Sequence, residues 1–196
     1  VLASYMETRL LASLAVEAKK TVEILLAVET GMGRIGFLPI KESVTEILGI
    51  QRLPNIRIKG IFSHFATADE ADKTYAKQQL ATFLRFQGQL EAAGVRAPFL
   101  THANSAALME LPEARLDAVR PGIILYGCYP SKEVDRSILD LRPAMALKAN
   151  IVFLKRVPAG FSVSYGRRFT TERESLIATL PIGYADGFPR FLSGKG

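Results

Sequence analysis

The stretch TVEILLAVETGMGRIGF, residues 21–37, decides the fold class. Its first part, Thr21 to Glu29, is a nearly continuous apolar run, the pattern of a strand buried on both faces, as in a parallel sheet. Gly31, Gly33 and Gly36 follow, with Arg34 among them. Glycines at such spacing allow a tight turn close to a ligand, and the planar fork of an arginine suits a carboxylate. The letters Gly31-x-Gly33-x-x-Gly36 also match a dinucleotide fingerprint, but Phe37-Leu38-Pro39 delays any helix until Lys41, whereas that motif opens one directly. A glycine-rich turn carrying a surface arginine accounts for the same letters.

Outward from this stretch, strand-like and helix-like segments alternate. Residues 7–20 place Leu10, Leu11, Leu14 and Val16 near helical spacing, and Lys41 to Ile50 fits a short helix after Pro39. Arg57 to Ser63 fits the next strand. Ala71 to Ala93, with Tyr75, Leu80, Phe83, Phe86 and Leu90 apolar among Lys, Gln and Glu, fits an amphipathic helix. Pro98 to His102, a short helix from Ser105, a strand near Leu116 to Val119 and the apolar run IILYG complete the series. Such units predict an α/β fold with right-handed crossovers, either a barrel or an open doubly wound sheet. The character changes near Pro143: Met145 to Val157 is rich in β-branched residues, Pro158-Ala159-Gly160 makes a turn, and SVSYG and SLIATLPIGYADG are strand-like runs broken by Gly and Pro. The expected division is an α/β part over residues 1–140 and the beginning of a mostly β domain over 141–196.

Composition narrows the function classes. The 196 residues are 48% hydrophobic and 22% charged, ordinary for globular domains. The net charge of +6 raises nucleic acid as a partner, but the basic residues are scattered and Arg167-Arg168 is their densest cluster, which argues against a phosphate-tracking stripe. No apolar run reaches the ~20 residues of a membrane helix, and the opening VLASYMETRL lacks the form of a signal peptide. A soluble, cytoplasmic protein without nucleic-acid or membrane partners is expected. Cys128 is the single cysteine and the histidines number two, so neither an internal disulfide nor a zinc cluster of Cys and His is expected. A start at Val1 without methionine fits a piece of a longer protein.

Both histidines fall where a parallel strand gives way to a loop, His64 after IKGIFS and His102 after PFLT, the edge at which α/β folds place their sites. A histidine there can also be a structural hydrogen bonder. Asn104 and Ser105 start a helical stretch, where free backbone amides favour an anion or a plain N-cap forms. Further on, Arg120-Pro121-Gly122-Ile123 offers an arginine and an exposed amide to a second anion oxygen, so two anion-suited turns on adjacent strands suggest one phosphate. Tyr165 and Tyr184 lie in the β part. A tyrosine acting as a proton acceptor needs neighbours that lower a pKa near ~10.

The blocks VETGMGRIGF, GIFSHFATADEAD, HANSAALMELPEARLDAVRPGIILYG, VSYGRRF and LPIGYADG together resemble the alanine racemase family, pyridoxal 5'-phosphate enzymes that combine a (β/α)8 barrel with a C-terminal β domain. The resemblance implies the second part of the TIM-type barrel and the start of the β domain. It places His64 against the cofactor's pyridine ring, Arg120 at the pyridine nitrogen, and Asn104, Ser105, Gly122 and Ile123 around the phosphate. Tyr165 becomes one of two catalytic bases, serving the partner subunit's active site in a homodimer. Tyr184 narrows the substrate entrance, and Arg34 lies near the cofactor's phenolic oxygen and the carboxylate of a small amino-acid substrate. Racemisation removes the α-proton from one face and returns one to the other, which two opposed bases do without moving the substrate. A serine racemase, a basic amino-acid decarboxylase of the same fold, or a non-catalytic cofactor-binding homologue remains open.

Three departures from the family pattern follow. The lysine that anchors the cofactor as a Schiff base, in a motif like Lys-Ala-Asn-Ala-Tyr-Gly, is absent; Lys148-Ala149-Asn150 copies three letters of it, but Ile151 to Leu154 follow instead of a glycine-rich turn, and Lys148 is rejected. About four β/α units cannot close an eight-stranded barrel, so the piece alone is expected to be inactive. Ala27 stands where many members carry a carbamylated lysine beside the arginine, so a solvent anion such as chloride is expected to accompany a buried Arg34. His102 is one residue closer to Asn104 than the family's usual histidine, and no role is carried to it.

Overall fold

The computed structural model describes residues 1–194. The chain forms two compact units, Val1–Ala144 and a second beginning at Met145.

In the first unit the order is α1 (Tyr5–Glu17), β1 (Val22–Ala27), α2 (Lys41–Gln51), β2 (Ile56–Phe62), α3 (Thr74–Ala92), β3 (Phe99–Thr101) and α4 (Ser105–Glu110). Ser4 caps α1 by accepting the Glu7 amide at 3.2 Å, and the Glu7 carboxylate in turn accepts the Ala3 amide at 3.3 Å. The Ser4 contact satisfies a backbone donor which the first helical turn leaves orphaned, and the Glu7 contact ties down the residue before the cap. The small residues Ala12 and Ala15, with Thr8, form the buried face, while Leu10 and Leu14 point outward.

Strands β1, β2 and β3 pair in parallel and in chain order. Parallel neighbours need crossovers, and α2 and α3 supply them. Burial becomes continuous toward the C-terminal ends of β1 and β2, where Leu26, Ala27, Gly60 and Ile61 are buried, whereas Glu23, Arg57 and Lys59 near their starts are exposed. Ile24, Leu26, Ile47, Ile50, Ile61, Phe83 and Phe86 form the core between sheet and helices. Fully burying one such side chain contributes roughly 1.5–3 kcal/mol. On α3 the buried positions are Ala76, Gln79, Leu80, Phe83, Phe86 and Leu90, one stripe at helical spacing interrupted by a single polar residue. Gly60 in β2 is required by close approach, since a Cβ there would lie 1.8 Å from the Phe99 carbonyl oxygen of β3.

One expectation needs correction. Leu116 to Val119 is not a strand: only a single bridge, Thr101 to Ala118, forms, because Leu116 turns into the left-handed region at φ 43°. The IILYG run is a 3-10 turn, Ile123–Tyr126, terminated by Gly127 at φ 77°. An apolar run of this length serves either state, and here the next turn needs Gly127 close against Arg142, where a Cβ would sit 2.0 Å from a backbone oxygen.

The second unit pairs β4 (Phe153–Val157) with β7 (Ser175–Thr179) and β5 (Ser162–Val163) with β6 (Phe169–Thr170), all antiparallel. The apolar residues from Met145 to Val152 precede β4 rather than belonging to it. Thr171 organises the turn after β4: its hydroxyl donates to the Pro158 carbonyl at 2.7 Å and accepts the Phe161 amide at 3.0 Å.

Candidate functional site

The C-terminal ends of β1, β2 and β3 bring several of the sequence candidates together. Arg120 is the hub. Its Nη1 donates to the Thr101 hydroxyl at 2.8 Å, and its Nη2 donates to the carbonyls of Ser63 at 2.5 Å and His102 at 3.2 Å while lying 3.3 Å from His64 Nδ1. The guanidinium also packs over the Phe62 ring at 5.3 Å. Among the described residues neutral acceptors rather than a carboxylate hold this charge, and its planar geometry is locked by bonds to the ends of β2 and β3. Burial, and then the charge of Arg34, lower its pKa from the usual arginine value. The guanidinium stays protonated all the same.

His64 is half-buried. Burial first, then Arg120 and Arg34, lower its pKa and favour the neutral ring. A neutral imidazole can accept at Nδ1 from Arg120, which fits the contact seen.

The two anion-suited turns meet. The Gly122 amide donates to the Ser105 hydroxyl at 2.8 Å, while Asn104 caps α4 by accepting the Ala107 amide at 3.0 Å. Beside Gly122 the space is open, an added Cβ meeting nothing nearer than Ser105 Oγ at 3.8 Å. Ile123 is exposed at the start of its 3-10 turn. Ser105, the Asn104 amide and the Gly122–Ile123 backbone thus form a neutral set of polar groups on the strand ends that also carry Arg120.

Arg34 lies on the loop after β1, and that loop is organised by Glu29. One Glu29 oxygen accepts the amides of Gly31 at 2.5 Å and Met32 at 2.6 Å, and the other accepts the Arg34 amide at 2.9 Å. Burial raises the Glu29 pKa, but the backbone donors outweigh it and the net direction is down. Tyr75 of α3 adds a bond from its hydroxyl to the Gly31 carbonyl at 3.0 Å. Ala27, Arg34, Ser63 and His64 line a cavity of about 10 Å³, the room of one water-sized group. The Arg34 side chain is exposed in this chain, so water screens its charge.

Tyr165 and Tyr184 belong to the second unit and are 92% and 69% exposed. Tyr165 sits between Ser164 at φ 61° and Gly166 at φ 72°, a turn that holds a non-glycine residue in the left-handed region to present the ring outward. Arg190 lies over the Tyr184 ring at 5.8 Å. Lys148 is exposed in the irregular segment before β4.

His102, left without a role by its sequence position, is fully buried. It stacks on Phe65 at 3.8 Å and 4° and packs against Phe83, and among the described residues neither ring nitrogen has a partner. Burial, then Arg120 and His64, push its pKa down to about 3. The side chain is a neutral, aromatic core residue. Sequence reasoning missed Ser63, Thr101 and Gln79. Gln79 alone left a signal, a polar residue in the apolar phase of α3.

Among the described residues no group of three or more His, Cys, Asp and Glu side chains is placed to hold a metal, and no helix is long and apolar enough to cross a membrane.

Family models for the alanine racemase N-terminal domain match residues 1–130 and for the alanine racemase C-terminal domain residues 144–196. The alanine racemase of Clostridium tetani is 52% identical over 193 residues, covering 98% of this chain and 50% of that protein. The solved alanine racemase of Clostridium difficile 630 superposes with a TM-score of 0.89 at 43% identity, covering 96% of this chain and 50% of that one. A Bartonella henselae alanine racemase solved with covalently bound pyridoxal phosphate gives 0.76 at 30% identity, over 97% of this chain and 51% of that chain. The chain spans about half the length of the curated relatives it matches.

Proposed function

Because this chain belongs to the alanine racemase family of isomerases, with part of an α/β barrel followed by a β domain, we propose that the protein of which it is a segment interconverts L- and D-alanine with pyridoxal 5'-phosphate. One arrangement supports this reading above others: Arg120 bonded at the ends of β2 and β3, beside His64, with Ser105 and Gly122 joined next to it.

The residues present fit the cofactor. Ser105, Asn104 and the Gly122–Ile123 backbone would hold a phosphate with neutral polar groups and open space, His64 would lie against the ring, and Arg120 would face the ring nitrogen. Pyridoxal phosphate, when bound, supplies a conjugated ring that accepts charge left at the substrate α-carbon. Arg120 keeps its proton, so a ring nitrogen facing it would stay unprotonated and the ring would withdraw charge less strongly. More of the work then falls on positioned bases.

Arg34 would take the substrate carboxylate, its loop held by Glu29. Tyr184 would narrow the entrance. Tyr165, presented by a strained turn, would move the proton on one face of the substrate bound in the partner subunit of a homodimer. The other base is the cofactor-anchoring lysine, for which this chain carries no matching motif.

The test uses the full-length protein with pyridoxal phosphate and L-alanine in deuterium oxide. D-alanine carrying deuterium at the α-carbon is the expected product. Release of carbon dioxide, or turnover of serine in preference to alanine, would overturn the reading in favour of a decarboxylase or a serine racemase.

A further inference from the structure

Gln79 is 1% exposed and sits on the core-facing stripe of α3 among Ala76, Leu80 and Phe83. A buried amide costs free energy unless its donors and acceptor are matched, so the partners it has found are informative. Its Oε1 accepts the Ala66 amide at 2.9 Å, and its Nε2 donates to the His64 carbonyl at 3.1 Å and to the Thr30 hydroxyl at 3.4 Å. Thr30 and Ser63 share a hydroxyl bond of 2.7 Å.

These contacts have a consistent direction. Ala66 and His64 flank the turn out of β2, so the amide clamps the backbone on both sides of Phe65, and His64 itself is fixed at its own carbonyl. Thr30 begins the loop that carries Arg34. One side chain on a rigid helix therefore ties together the loops after β1 and β2, which otherwise meet through the Thr30–Ser63 hydroxyl bond.

We infer that Gln79 is a positioning residue that fixes the His64 ring against the cofactor and locks the Arg34 loop to it. The inference rests on the proposed cofactor reading and deepens it. Neither a hydrocarbon nor a shorter amide can replace the clamp: Leu fills the space but bonds nothing, and Asn falls one methylene short of the loop. Glu is isosteric; protonated, it donates to the His64 carbonyl and accepts from Ala66, whereas ionised it confronts that carbonyl and the Thr30 oxygen with negative charge. The charged and titratable groups on the clamped loops are Glu29 and Arg34 after β1 and His64, Asp69, Glu70, Asp72 and Lys73 after β2, with Arg120 bonded to His64.

The experiment compares wild type, Gln79→Leu, Gln79→Glu and the exposed neighbour control Gln78→Leu in the full-length protein. It measures pyridoxal phosphate affinity by equilibrium dialysis and the visible circular dichroism of bound cofactor across pH. Gln79→Leu is expected to weaken cofactor affinity by about tenfold and alter the dichroic band, as loss of a supporting contact does at other cofactor and metal sites. Gln79→Glu is expected to match wild type at low pH and diverge as the carboxyl ionises, a pH profile that general loss of packing would not produce. Folded Gln79→Leu with wild-type dichroism and affinity within twofold would overturn the inference, as would failure of both Gln79 variants to fold, which would assign the side chain to stability alone. A wild-type protein that takes up no cofactor would instead overturn the function reading and this one with it.

Discussion

Arg120 and His64, 56 residues apart in the chain, meet with Nη2 3.3 Å from Nδ1. The arginine is held by backbone carbonyls and a threonine hydroxyl rather than by an acid, so its positive charge remains available to whatever faces it. His64, pressed toward neutrality by burial and by that charge, is suited to stack rather than to pair ionically.

Replacing Arg120 by Glu tests this pair. A carboxyl can share a proton with a ring nitrogen where a guanidinium cannot, so the cofactor-loaded full-length enzyme is expected to show a new long-wavelength absorbance band during turnover. An unchanged spectrum with cofactor still bound would count against Arg120 facing the ring.

His102 sets an acid limit on stability. Its folded pKa of about 3 lies below the unfolded value near ~6.5, so between these values the unfolded chain binds the extra proton. The stabilisation is complete above about pH 6.5 and is lost as pH falls toward 3, at up to ~1.4 kcal/mol per pH unit. Urea unfolding of the full-length protein should show a shallower loss over this window for His102→Leu than for wild type. Equal slopes would place the acid sensitivity elsewhere.

Tyr165→Phe in the complete enzyme should slow α-proton exchange of one alanine enantiomer far more than that of the other, with a barrier increase of several kcal/mol at ~1.4 kcal/mol per tenfold. Solvent-deuterium exchange followed separately from L- and D-alanine measures it. A mild loss equal for both enantiomers would sink the single-face role.

Gly60→Ala should separate β2 from β3, because the new methyl group cannot share space with the Phe99 carbonyl. A loss of about 1–3 kcal/mol or more is expected from forced backbone shifts. Arg120 should suffer with it, since its acceptors Ser63 and His102 directly follow those two strands. Thermal unfolding and cofactor affinity should fall together; a stable variant with weakened cofactor binding alone would show that the strand spacing is adjustable.

The amino-acid sequence by itself determined the repeating strand and helix units, the two-part organisation of the chain's composition, and the family. Apolar runs, helical spacing and glycine-bearing turns are local properties, and local properties are written in order along the chain. Arg120, His64, Ser105 and Gly122 were legible as candidates because each stands at a strand end or turn. Where a local signal admits two states, as in the IILYG run, the pattern could not choose; the choice came from Gly127 packing against Arg142.

Only the tertiary structure decided which groups meet. The four bonds of Arg120 join residues up to 57 positions apart, and no periodicity encodes that. Burial likewise turned His102 from a strand-end candidate into a core aromatic stacked on Phe65, and exposure left Arg34 screened by water. Gln79 shows the division most plainly. A polar letter in an apolar stripe is all that its place in the sequence shows, and its partners Ala66, His64 and Thr30 come from two separate loops. A buried amide must satisfy its hydrogen bonds wherever the fold brings acceptors and donors within reach, and that reach is a property of the packed chain.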